Sequence, residues 1–141
     1  MTIPAATGHI YAGVVRADHA DFDGSESRRR LAVGQVWGSW SFDVVAQLAW
    51  DDGVSSSWRR AKWEASSVLG VAINTIEREV WYYWGGTRIC RSFPWHLTDA
   101  FAVIPCVSAS AGSTFAINTG ARAFVFCPPA LHAPLDCVLK L

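Results

Sequence analysis

Charge is scarce in this sequence of 141 residues: 17% of them carry it, as 12 basic against 12 acidic side chains. Together with 51% hydrophobic residues, that excludes a disordered chain and points to a well-covered globular body, one domain by length. A formal net charge of zero removes the electrostatic footprint of a nucleic-acid binder, so no nucleic-acid partner is expected. The one basic cluster, Arg28-Arg29-Arg30, follows Asp18, Asp21, Asp23 and Glu26 and reads as a charged loop. Long hydrophobic runs are missing too. Residues 100–121 hold no charged side chain, yet the apolar stretch stops at Val107 and Pro105 would break a helix there, so no membrane span is expected. Two strands joined by Ser110-Ala111-Gly112-Ser113 fit better: 103–109, then 114–118 with Phe115 and Ile117 alternating against Thr114, Ala116 and Asn118. The expectation is a hairpin both of whose faces meet protein. Pro105 is its awkward residue, since proline belongs at strand starts and sheet edges.

The signatures of catalysis and metal binding are equally thin. Cys90, Cys106, Cys127 and Cys137 form no C-x-x-C pair, so zinc has no ligand spacing to use. The opening MTIPAATGHI has neither the basic start nor the apolar core of an export signal. Reduced thiols packed as small hydrophobes, in the cytosol or nucleus, are therefore expected. His9, His19, His96 and His132 are scattered, and neither a G-x-S-x-G elbow nor a phosphate-loop glycine pattern is present. Residues 19–24, HADFDG, put His where a calcium loop needs its first carboxylate, and Arg30 where it needs its closing one. Glu77 and Glu79 would share one side of an extended chain, as catalytic carboxylates of sandwich glycosidases do. They fall at the tip between two strand candidates, where solvation explains them. No catalytic residue, metal site or cofactor is expected.

What the sequence does contain is short apolar segments between turn signals. Strands are expected at 9–15 (HIYAGVV), 40–50 (WSFDVVAQLAW), 68–75, 80–84 and 122–126, besides the 103–118 hairpin. Residues 58–66 have room for a helical turn or two. Such spacing reads as an all-β protein, an antiparallel two-sheet β-sandwich, with the proline-rich 128–134 leaving the sheet and 135–141 returning as a last strand. Eight tryptophans stand out. Most belong in a core, but in Val80-Trp81-Tyr82-Tyr83-Trp84 alternation places Trp81 and Tyr83 on the face opposite the other three. Trp81 and Tyr83 thus form either an exposed aromatic contact patch or a covered second face.

As a set these segments resemble the SPRY domain. Residues 68–75, VLGVAINT, a turn and 80–86, VWYYWGG, look like that family's hairpin "viGclLDl…gtisFtkNG". Residues 100–108 resemble its "lyPavSl", and 115–124 its "v.vNFG..pF". Ala12-Gly13-Val14-Val15 is similar to its "iGv" strand, and 38–43, GSWSFD, to "SWgyd". The order is right over roughly 8–129, taken as a SPRY-like domain of jelly-roll type, with 130–141 a tail or final strand. Departures are Asn74 for the usual Asp, Gly85-Gly86 for Asn-Gly, Thr119 for the aromatic of Asn-Phe-Gly, and Ser66-Ser67 for Gly-Asp. About ten residues precede the "iGv" segment where the family has one or more strands, so the first strand is expected to be missing or replaced. The resemblance implies a non-enzymatic module whose end loops bind a protein or peptide, often within a larger assembly. The candidate loops are 18–30, 34–40, 51–58 and 85–95. Their best anchors are Trp37, Trp58, Arg88, Arg91 and Trp95, residue types that dominate interface energetics. A lectin-like carbohydrate-binding domain is the alternative, and a glycosidase fragment using Glu77 and Glu79 the third reading.

Overall fold

The computed structural model describes residues 2–3, 8–17, 32–58, 67–74, 77–92 and 103–126, with backbone alone for 2, 3, 91 and 92. Nine strands are present among them: β1 Thr2–Ile3, β2 Ile10–Arg16, β3 Ser39–Asp43, β4 Leu48–Asp51, β5 Val54–Ser57, β6 Ser67–Asn74, β7 Glu79–Trp84, β8 Thr87–Ser92 and β9 Val103–Ala109. They build two antiparallel sheets, β5-β4-β3-β2-β9 and β1-β6-β7-β8. The core lies between them. Ile10, Ala12, Val14, Trp40, Phe42 and Ala49 from the first sheet meet Leu69, Val80, Tyr82 and Cys90 from the second. The Phe42 and Tyr82 rings, 5.7 Å apart between centroids, tie the middle strands together. This is the expected all-β sandwich. A short strand does precede the glycine-containing β2: Thr2 and Ile3 pair with Val68 and Ser67 of β6.

Gly13 is fixed by close approach. An added Cβ would overlap the Trp40 carbonyl oxygen and lie 2.6 Å from the Ser41 Cα on neighbouring β3. β3 is buried on both faces, although Ser-Trp-Ser-Phe-Asp reads as one dry and one wet face. Trp40 and Phe42 enter the core, while the Ser39 and Ser41 hydroxyls receive a loop laid across the outer face. There Gly34 N–H donates to Ser39 Oγ (2.7 Å), and Ser41 Oγ donates to the Val33 carbonyl (2.7 Å). Val33 N–H reaches Ser108 Oγ of β9 at 3.0 Å. The polar side chains of the outer face thus satisfy backbone groups that burial would otherwise leave unpaired.

Several expected boundaries change. The single strand at 40–50 is two strands, because Asp43 Oδ1 accepts from Val45 and Ala46 N–H (2.9 and 3.0 Å) and Gln47 turns the chain at φ 57°. The loops expected at 51–58 and 85–95 contain β5 and β8. The 103–118 hairpin is corrected to a single strand. β9 forms as expected along β2, whereas 114–118 is irregular apart from an isolated bridge at Ala116. Nor is it sealed on both sides: Ile104 is 49% and Ile117 58% exposed. β9 is the last strand of its sheet among the described residues, which is where Pro105 can sit without breaking a ladder. Residues 122–126 are also not a strand; they close a loop that Asn118 organises, accepting from Gly120 and Arg122 N–H and donating to the Arg122 carbonyl. Of the helical turn expected at 58–66 only Trp58 is described, without regular structure, and the strand at 135–141 lies outside the described residues.

Candidate functional site

The site is built on the β7–β8 hairpin. Its two-residue turn is Gly85-Gly86 with φ 51° and 82°, both left-handed, as a turn matched to strand twist demands. Glycine therefore serves where the family's usual Asn-Gly would. At the preceding turn Asn74 takes over from the usual Asp: its Oδ1 accepts from Glu77 N–H and its Nδ2 donates to Glu77 Oε2, both at 3.0 Å. Glu77 is thereby held at an exposed tip while Glu79 is buried at 9% exposure, so the two carboxylates share no open cleft.

Below the glycine turn the pairing slips. Tyr82 faces Cys90 but Tyr83 faces Arg88, which leaves Ile89 as an extra residue in β8. Regular pairing would set Arg88 opposite Trp84, on the core-packed side. The bulge reverses that alternation and puts Arg88 on the outward face with Trp81 and Tyr83. There its guanidinium carbon stands 4.0 Å over the Trp81 ring, a stacked cation–π contact. The β6 residues opposite Trp81 and Tyr83 are Ala72 and Gly70, small enough to leave both rings room. Burial pushes the Tyr83 phenol up from its ordinary pKa, and the Arg88 charge pulls it partly back.

Trp58, just past β5 at the margin of the other sheet, completes a pocket of about 330 Å³ with Trp81, Arg88, Ile89 and Cys90. Trp58 is held by its indole N–H on Ser56 Oγ at 3.1 Å. Trp81 Nε1 is buried and finds no acceptor among the described residues. Burial pushes the Cys90 thiol up to about 12, so it is neutral wall and not a nucleophile. Among the described residues, no group of three or more His, Cys, Asp or Glu gathers as a metal site would, and no helix is long and apolar enough to cross a membrane.

Of the residues expected from sequence, the fold brings Trp58, Trp81 and Arg88 together. Trp37 is elsewhere, 59% exposed under the Arg16 guanidinium at 4.9 Å. Arg91 pairs with Trp81 through its backbone, and its side chain, like all of Trp95, lies outside the described residues. Trp81 and Tyr83 share the outward face but are half-buried. Sequence reasoning missed Ile89 and Cys90 by taking 85–95 for a loop. The signal was the glycine pair itself, which predicts a returning strand after a strand as regular as VWYYW.

The sandwich, its hairpin turns and its glycine-bearing β2 all agree with one family, and the sequence model of the SPRY domain matches residues 2–122. The chain belongs to the SPRY family. No curated protein matches it closely enough to add a second relative. SPRY domains are protein-interaction modules and generally not catalysts. Two of the positions that depart from the family pattern still form their turns: Asn74 accepts from Glu77 N–H, and Gly85-Gly86 takes the left-handed conformation.

Proposed function

We propose that this SPRY domain binds a peptide or protein surface without catalysis, as the recognition or scaffold part of a larger assembly, through the pocket of Trp58, Trp81 and Arg88. One observation carries the reading: Trp58 lines one cavity of about 330 Å³ with Trp81 and Arg88 of the distant β7–β8 hairpin. Tryptophan and arginine are enriched among hot-spot residues: the indole buries a large rigid surface, and the guanidinium adds planar stacking and several hydrogen-bond donors. A protein or peptide ligand is the partner class. No nucleic acid is expected, since the formal charge is zero. Cys90 and Cys106 are both free thiols, which supports a cytosolic or nuclear setting. Carbohydrate binding is the weaker alternative, because a guanidinium already covers a face of the Trp81 indole that a sugar ring would use.

The test is affinity capture from lysate with the intact chain, compared with Trp58→Ala and Arg88→Ala, each first shown to melt like the parent. Partners retained by the parent and lost from both variants support the site. Identical partners on all three proteins reject it.

A further inference from the structure

Resting on that reading of the pocket, we propose that it takes the carboxylate of a glutamate or aspartate side chain, presented by a partner segment with an apolar residue beside it. Two observations motivate it. The exposed Arg88 is stacked on Trp81, and among the described residues no carboxylate pairs with it. Beneath it, Trp81 Nε1 is a buried donor with no acceptor among those residues. An indole N–H can only donate, so whatever satisfies it must bring a lone pair. The guanidinium fork can take a carboxylate through two parallel bonds, and it lies over the ring that carries the unused N–H.

The rest of the wall sets the neighbour's character. Trp58, Ile89 and Cys90 are apolar, and the Cys90 thiol stays neutral at physiological pH, so none of these three repels an anion. Such a wall lowers the local dielectric, strengthens the ion pair and rewards an apolar side chain next to the acidic one. A volume of about 330 Å³ sits at the small end of ligand sites, room for one or two side chains and not for an oligosaccharide. Glu79 lies two residues before Trp81 on the same face of β7, but it is buried and does not line the pocket, so among the described residues Arg88 is the charge the pocket presents. A phosphoryl dianion suits the site less well: among the described residues the pocket wall holds one cation, Arg88, which leaves half the charge of a dianion uncompensated.

The experiment is an NMR titration of the intact chain, following the Trp81 indole N–H and Arg88 Nε–H signals. The probes are three capped peptides, Ac-Leu-Glu-Leu-NH2 and the same peptide with glutamine or phosphoserine at its centre. The expected result is that the glutamate peptide shifts both signals and binds at least tenfold more tightly than the glutamine peptide. Arg88→Gln, which keeps a planar polar head but removes the charge and shortens the side chain, should remove that preference, and Trp58→Ala should weaken both peptides alike. Equal affinity for glutamate and glutamine peptides overturns the inference while leaving a peptide-binding pocket intact. Tighter binding of the phosphoserine peptide overturns it in favour of a phosphoryl ligand. If no probe moves either signal, the carboxylate assignment falls, whereas the lysate comparison decides the interaction site on its own.

Discussion

Replacing Gly13 by alanine tests the packing of the first sheet most directly. Gly13 faces Ser41 of β3 on one side and Cys106 of β9 on the other, in the middle of both ladders. A Cβ there would lie 2.6 Å from the Ser41 Cα, against the roughly 3.5 Å of an ordinary carbon contact. The obstacle is backbone, so no side-chain rotation relieves it. The strands must part by about 1 Å, which stretches hydrogen bonds of about 2.9 Å beyond useful range. Two or three weakened ladder bonds at about 1 kcal/mol each give a loss of about 3 kcal/mol, the upper end of overpacking effects. For a domain of this size that lowers Tm by about 10 °C. Gly70→Ala is the internal control, because its Cβ would meet the Tyr83 Cβ at 3.3 Å, where a small adjustment suffices. Thermal melts followed by circular dichroism read the difference. If Gly13→Ala melts within about 3 °C of Gly70→Ala, the close approach of β2 and β3 is wrong.

Asp43 should matter more than its exposed partner. Its buried carboxylate accepts two backbone N–H bonds and meets His9 Nδ1 at 3.0 Å. Asp43→Ala should therefore lower stability by about 2 kcal/mol in urea titrations, and His9→Ala by less than about 1. Equal effects would show that the turn does not depend on the carboxylate. Cys90 should resist iodoacetamide at pH 8 in the native chain and react once urea unfolds it, with Cys106 labelling first because it is less buried. Burial raises the folded-state value above the unfolded one, so the neutral thiol stabilises the fold below about pH 9. That contribution is lost as pH climbs toward 12. Native labelling of Cys90 by mass spectrometry would contradict its place in the core.

Legibility in the sequence followed how local the cause was. VWYYW alternates with a period of two over five residues, and pairing it with β6 needed only the turn between them. Thus β6, β7, β2 and β9 were readable, as was the division of aromatic residues between two faces. The break inside residues 40–50 was not, because no glycine or proline marks it; an aspartate side chain bonding its own backbone makes that turn. Residues 114–118 carry the same alternation as a strand, yet nothing in a local pattern says whether a partner lies within reach.

The sequence by itself determined the fold class and the residues eligible for recognition: little charge, short strands, surplus tryptophan, and arginines beyond a glycine turn. Tertiary structure alone decided which of them meet. Trp58 and Trp81 stand 23 positions apart and line one pocket only because the two sheets end side by side there. Arg88 joins them because one extra residue, Ile89, turns the alternation of β8 around. Side-chain direction in a strand is set by counting residues from its hydrogen bonds, and those bonds are made with other strands. A single chain cannot announce where that count begins.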